Sequence, residues 1–192
     1  MAKAQAMLVL HPVDPETPIP GSEPLAGGLA RLGLITEPFD FAGTRHYAAG
    51  PEFTNLINFL GCLPHLVLDP AVGMAGGGHA FCHVHIPTPT AVPRLRRGGN
   101  TVAPRCPHCG HRPAQGRDWR PVAPDGLDLL CPACHRASGA AALRWRRTAA
   151  WGRGWVEIWG VFPSEAVPAD RLLSGLAEIT QGRPWDYAYL QP

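Results

Sequence analysis

Lysine is almost missing from this chain: Lys3 is the only one, against sixteen arginines. A bias of that kind follows genomic base composition as readily as function, so it excludes nothing by itself. Other scarcities exclude more. No apolar run approaches the roughly 18 residues that a membrane-spanning helix requires, so no membrane insertion is expected. The apolar residues at 6–10 end at Pro12 and are too few for an export signal, which makes the cytoplasm the expected compartment. No paired carboxylates and no Ser-His-Asp or Cys-His constellation stand at a recognisable spacing. Gly73, Gly76, Gly77 and Gly78 are not followed by Gly-Lys-Ser/Thr, so they lack the signature of a phosphate loop. Acidic residues are scarce in one stretch above all: from 94 to 153 there are only Asp118, Asp125 and Asp128.

That last scarcity creates the strongest charge pattern in the sequence. The formal charge of the whole chain is +2, yet residues 94–153 carry +9 and the remainder −7. A segregated charge of this size calls for an anionic partner or an acidic face of the chain itself. At 192 residues, 45% of them hydrophobic, the chain can build one ordinary domain and a small module. Proline and glycine, 22 of each, together with six tryptophans, favour a loop-rich fold of short elements over disorder.

The basic stretch also holds two cysteine pairs, Cys106-Pro107-His108-Cys109-Gly110 and Cys131-Pro132-Ala133-Cys134, with 21 residues between Cys109 and Cys131. Each pair can fold into a knuckle that presents two thiolates from one turn, and two knuckles supply four tetrahedral sulfurs. Gly110 suits the left-handed position that follows such a pair. Between Cys106 and Cys134 the sizeable apolar residues are only Trp119, Val122, Leu127, Leu129 and Leu130, too few for a core, so an ion has to hold the segment. Over about residues 104–137 the chain resembles the zinc-ribbon superfamily. The resemblance implies one structural Zn²⁺ on Cys106, Cys109, Cys131 and Cys134 and a local fold, but no single function. Three other chemistries fit the same residues less well. Cys131 to His135 also spells a haem-attachment motif, which needs export; a rubredoxin-like iron centre would want more shielding aromatics; and disulfides or a redox dithiol suit an oxidising compartment.

Along the chain, 8–10 reads as a short strand, and the prolines at 12, 15, 18, 20 and 24 read as a draped arm. Residues 26–35 predict at most a helical turn because of Gly27, Gly28 and Gly33. The spacing of Phe53, Leu56, Ile57 and Leu60 predicts a helix over 51–60, and 65–68 reads as a strand. In the strand expected at 79–86, Ala80, Cys82, Val84 and Ile86 share the core face, while His79, Phe81, His83 and His85 share the other. That second face is expected to be a solvent-facing edge of ordinary histidines, with metal or anion binding at His79, His83 and His85 as the alternative. Cys62 and Cys82 read as buried small apolar residues. Residues 94–100 read as a basic, flexible approach to the ribbon. Residues 143–148 and 155–162 read as a hairpin turning at 150–154, and 169–181 as a helix that Asp170 favours and Gly182 and Pro184 stop. Trp185, Tyr187 and Tyr189 then alternate along a closing strand.

These elements predict an α+β fold with a small mixed or antiparallel sheet and two main helices. The domain is discontinuous: 1–93 and 142–192 form it, and 94–141 is an inserted zinc-ribbon module with four cysteine ligands. The expected role is a non-catalytic adaptor or accessory protein, a subunit of a larger assembly. It would dock on nucleic acid or on an acidic protein surface through Arg94, Arg96, Arg97, Arg144, Trp145, Arg146, Arg147, Trp151 and Arg153. The interleaved tryptophans and arginines fit base stacking with phosphate contact, and they fit equally a core with arginine stems laid over it. The alternative is an enzyme or metal-handling factor that uses the histidine face and keeps the ribbon as scaffold.

Overall fold

A computed structural model describes residues 6–60, 66–75, 81–114, 118–123, 128–161 and 165–191. In chain order the first half runs β1 (Met7–Pro12), α1 (Ser22–Leu32), β2 (Ile35–Phe41), β3 (Thr44–Ala49), α2 (Phe53–Leu56), β4 (Ile57–Phe59), α3 (Pro70–Ala75), β5 (His83–His85) and β6 (Arg94–Arg97). The second half runs β7 (Arg120–Pro121), β8 (Asp128–Leu130), β9 (Ala137–Gly139), a 3₁₀ turn (Ala140–Ala142), β10 (Ala149–Gly152), β11 (Val156–Trp159), β12 (Ala166–Pro168), α4 (Asp170–Ile179) and β13 (Trp185–Leu190). The fold is α+β, with antiparallel sheets throughout the described residues.

Six strands in the order β13-β1-β11-β5-β3-β2 make the main sheet. One face sends Leu8, Leu10, Tyr47, Cys82, Val84, Ile86, Val156 and Ile158 into a core closed by Leu25 and Leu29 of α1 and Leu172 and Leu176 of α4. The alternation predicted for 80–86 therefore orients β5 correctly. Trp185 belongs to the same core and donates its indole N–H to Thr180 Oγ1 at the end of α4, 2.9 Å away. Both helices stop as their sequences dictate. Gly33 takes φ 79° after α1, and Gly182, at φ 81°, returns its N–H to Ala177 O after α4.

The opposite face is covered as well. β10 pairs with β6 as a two-stranded layer, and Ala150 packs there with Met7, Val9, Ala188 and Leu190. On the other side of β10, Ala149 and Trp151 join a second core with Cys106, Trp119, Leu129, Cys131, Ala140, Leu143 and Trp145. The cysteine segment is thus not short of apolar support: 140–151 supplies what 106–134 lacks. The segment is also fastened to the main sheet. Asn100 donates to Tyr189 O and accepts from the Gln191 N–H, both at 2.9 Å, and Thr101 donates to Thr148 O at 2.7 Å.

Several expectations are corrected by these facts. α1 begins at Ser22, because Pro24 sits in its first turn, where a missing N–H costs no hydrogen bond. A hairpin not foreseen, β2–β3, turns at Ala42 and Gly43, both left-handed, and tolerates Pro38 because β2 is an edge strand. The helix expected over 51–60 is one turn, α2. Ile57–Phe59 pairs with β12 instead, and Leu60 is exposed. The strand expected at 65–68 lies partly outside the described residues, and 66–68 is irregular. The arginine-rich approach is strand β6, and the hairpin over 143–162 does not form. Its supposed turn is β10, paired with β6, while β11 belongs to the main sheet.

The contact between α1 and α4 depends on small residues. An added Cβ at Gly28 would lie 2.4 Å from Ile179 Cδ1, and one at Gly175 would lie 2.6 Å from Leu32 Cδ1. Gly28→Leu is expected to cost about 1–3 kcal/mol in denaturant unfolding by overpacking. Gly28→Ala should cost less, since the Ile179 side-chain end can turn and alanine improves the helix by about 1 kcal/mol. Equal stability of wild type and Gly28→Leu would contradict this packing.

Candidate functional site

The two cysteine knuckles have matching backbones. In the first, the Gly110 N–H donates to Cys106 O (3.0 Å) and the Cys106 N–H to His111 O (2.8 Å). In the second, the His135 N–H donates to Cys131 O (3.0 Å) and the Cys131 N–H to Arg136 O (3.0 Å). Gly110 (φ 73°) and His135 (φ 55°) occupy the equivalent left-handed position. The expectation for Gly110 holds, while His135 takes that conformation with a side chain. The strands β7, β8 and β9 carry the second knuckle between β8 and β9, and Trp119, fully buried, braces the first by donating to Pro104 O at 3.2 Å.

All four sulfurs lie within 4.8 Å of one another; Cys106 and Cys134 are 3.8 Å apart, and Cys109 and Cys131 3.9 Å. A tetrahedron with metal–sulfur bonds of about 2.3 Å has sulfur–sulfur edges of about 3.8 Å, so the cluster can hold one metal ion. A disulfide needs about 2.05 Å, so no disulfide joins these free cysteines. Burial raises the Cys106 thiol, but the N–H groups of Cys109 and His108 and the neighbouring thiols of Cys131 and Cys109 outweigh it and bring Cys106 down to about 6. Backbone donors thus favour a thiolate at Cys106, whereas at Cys109 the lowering effect of the His111 N–H is outweighed by burial and the thiols of Cys134, Cys106 and Cys131, which together push the thiol up to about 12.

The residues expected to meet a partner divide sharply. Arg94, Arg144 and Arg146 are exposed and make no ion pair with any described residue. Arg97 donates to Trp119 O at 3.5 Å. Arg96 turns onto Glu157 (3.0 Å), Arg153 pairs with Glu16, and Arg147 pairs with Asp186 while lying 4.0 Å over the Tyr187 ring. Trp145 and Trp151 are each 7% exposed and belong to the second core. Trp151, expected in a turn and free to stack, is placed inside by β10. Arg105, Arg112, Arg120 and Arg136, not singled out from the sequence, are exposed without ion pairs among the described residues. Their signal was the net charge of the segment.

The histidine face differs from the exposed edge foreseen. β5 is an interior strand, and His83 is 1% exposed beneath Phe39, Phe41, Phe81 and Trp159. His79 lies outside the described residues, as do Cys62 and Gly76 to Gly78. The register aligns Val9, Glu157, His85 and His46 across four strands. His85 and His46 stack at 4.7 Å, and His46 and His83 meet at 4.9 Å. The carboxylate partner that sequence spacing does not reveal is Glu157, far along the chain. One of its oxygens accepts from Arg96 (3.0 Å) and the Trp155 indole (3.2 Å), the other from His85 Nδ1 (3.0 Å) and the Trp159 indole (3.2 Å). Burial raises the Glu157 carboxyl, but these donors and the Arg96 charge more than offset it and hold it below the ordinary range. His46 and Glu157 were the residues missed. The available signal for Glu157 was a lone acid in the apolar run Val156–Trp159. Among the described residues, the group of three or more side chains placed to hold a metal ion is the four cysteines. Cys82 is buried in the core as expected, and burial pushes its thiol up to about 12.

Comparison with family models, curated proteins and solved structures finds no match to this chain. No helix among the described residues is long and apolar enough to cross a membrane.

Replacing Cys106 by Ser is expected to abolish metal retention on gel filtration and to erase the near-ultraviolet dichroism of the second core, while the far-ultraviolet signal of the main sheet and helices persists. Loss of both signals together would mean that the two cores fold as one unit. A second expectation concerns acid. His46 falls from the ordinary 6.5 to about 4 because burial, then His83 and His85, oppose its charge, with Glu157 acting the other way. The unfolded chain therefore binds more protons between those values, so the contribution of His46 to stability is complete above about pH 6.5 and lost as pH falls toward 4. Glu157, whose pKa is also lowered, adds a loss in the same direction. Denaturation midpoints measured across that window should fall with pH, and His46→Phe should flatten the slope.

Proposed function

We propose that this chain is a zinc-ribbon adaptor, in which one structural Zn²⁺ on Cys106, Cys109, Cys131 and Cys134 holds a basic module that docks on an anionic partner in a larger assembly. The ion assignment rests on four sulfurs with a tetrahedral edge length and no open coordination position among them. The docking assignment rests on one observation. Seven exposed arginines, at 94, 105, 112, 120, 136, 144 and 146, have no ion pair within the described residues, although the rest of the chain carries a surplus of acid. An acidic face of this protein would have taken them up if it were their destination. Arg96, Arg147 and Arg153, which are taken up by Glu157, Asp186 and Glu16, leave the docking set. Burial of Trp145 and Trp151 weakens single-stranded base stacking and favours contacts made by charge alone.

A second reading, proton-transfer chemistry at His85, is favoured by the Glu157 contact. An ionised carboxylate only accepts, so His85 Nδ1 carries the proton and Nε2 is left as an acceptor. His85 lines a cleft of about 300 Å³ together with Ser22, Thr44, Tyr47 and Thr88. Nitrogen-detected NMR at neutral pH should find the Nδ1–H tautomer; the Nε2–H tautomer would remove this reading.

The adaptor reading is tested by elemental analysis and by salt. Untagged protein should carry one equivalent of zinc and no iron. Co-purifying material should be released between about 0.1 M and 1 M salt, where exposed charges become screened. Arg94→Glu combined with Arg144→Glu and Arg146→Glu should abolish retention without changing zinc content. If the partner is nucleic acid, the log–log salt slope should shrink by about 0.7–0.9 per lost contact. Retention indifferent to salt and to the triple substitution would overturn docking by charge.

A further inference from the structure

Between the second core and the main sheet lies a cleft of about 240 Å³. Leu143, Trp145 and Trp151 form its inner wall, Tyr187 and His11 the wall on the sheet side, and Arg146 and Arg147 stand in its lining beside them. Its size decides what can enter. At about 30 Å³ per water it equals about eight waters, below the roughly 300–1,000 Å³ of pockets that enclose drug-sized molecules, so it suits one large side chain and not a nucleotide. Its lining mixes apolar side chains with charge: Arg146 and Arg147 are cationic, and Asp186 is the one carboxylate among the lining residues. His11 is held toward its neutral form by burial, despite its contact with Pro12 O and the nearby Asp186 charge. Asp186 is already paired with Arg147, whereas Arg146 is exposed and unpaired among the described residues.

The backbone at this place is unusual as well. Arg146 and Arg147 are consecutive left-handed residues, φ 53° and 59°, a conformation in which Cβ crowds the following carbonyl oxygen. Neither is glycine, although the chain uses glycine freely elsewhere. The turn is held by the Tyr189 N–H donating to Arg147 O (2.8 Å) and the Thr148 N–H donating to Trp145 O (3.0 Å). Two consecutive left-handed non-glycine residues are an uncommon arrangement, and here the surrounding hydrogen bonds hold both arginines in it at an exposed turn.

We propose that this cleft is the anchor of the docking surface: it receives one bulky apolar side chain from an acidic peptide segment, whose flanking carboxylates meet Arg146 and its exposed neighbours. The proposal rests on the docking reading above and narrows the anionic partner to protein. Charge complementarity selects an acidic segment. The buried tryptophans select a side chain that packs on the cleft walls over a base that must stack on a free ring face.

Two acetylated and amidated pentapeptides provide the test, both with two aspartates on each side of a central residue, phenylalanine in one and alanine in the other. Calorimetric titration of the full chain should find the phenylalanine peptide tighter by about tenfold or more, the value of burying such a side chain. The Trp145 and Trp151 indole N–H resonances, assigned by single Phe replacements, should shift with that peptide only. Ala141→Phe, at an exposed position in the lining, should fill the cleft and remove the preference while metal content is kept. If that variant fails to fold, the indole shifts in wild type decide alone. Equal affinity for the two peptides, with salt-dependent binding of both, overturns the cleft proposal and leaves docking by charge intact. Binding of neither, with retention of duplex DNA or RNA at low salt, overturns the peptide class and moves the arginines to nucleic acid. Retention of nothing overturns both.

Discussion

A buried carboxylate must find donors, and Glu157 finds them in two structural layers. It sits on β11 inside the main sheet, accepts from His85 on the neighbouring strand β5, and reaches Arg96 on β6, which belongs to the layer that carries the ribbon. Two tryptophans of its own strand region complete the set. Removing one partner of a buried pair leaves an uncompensated charge, which costs about 3–5 kcal/mol, so this arrangement ties the relative position of the main sheet and the β6–β10 layer to one side chain. The same carboxylate fixes the tautomer of His85.

The second constraint is the thinness of β10. Alanine at 149 and 150 lets one short strand lie between two cores, with Ala150 against Met7 and Val9 and Trp151 toward Trp119, Cys106 and Cys131. Larger residues there would separate the ribbon from the sheet. The cysteine cluster is consequently not a free finger on a tether. Its knuckles rest on tryptophans supplied by a strand that also packs on the main domain, and Asn100 clamps the entry of the module to β13. Mounted in this way, the cysteine segment holds its exposed arginines on a fixed base.

The cysteine cluster was legible because its information is local. Two knuckles need only their own spacing and a left-handed residue, and the zinc-ribbon resemblance covers little more than that. The helix α4 and the face alternation of β5 were legible for the same reason, since both follow from periodicity within a few residues. The hairpin expected over 143–162 failed because local alternation cannot say which strand is the partner. β6 lies more than fifty residues before β10, and the choice between pairing with β6 and pairing with β11 is made by what Ala150 and Trp151 can pack against. The helix over 51–60 failed in a related way. Its apolar spacing was real, but β12 offered Ile57–Phe59 backbone partners that a continuing helix would have forgone.

Charge showed the largest gap between composition and structure. The sequence by itself determined that residues 94–153 would be strongly basic, that four cysteines would meet, and that α and β elements would mix. Only the tertiary structure decided which arginines remain on the surface, because Arg96, Arg147 and Arg153 meet acids that are 61, 39 and 137 residues away in the chain. It also decided that Trp145 and Trp151 are core and that His46 joins His83 and His85. The physical reason is common to all three. Burial and ion pairing depend on long-range apposition set by sheet register, while spacing along the chain specifies only what a few neighbouring residues can do.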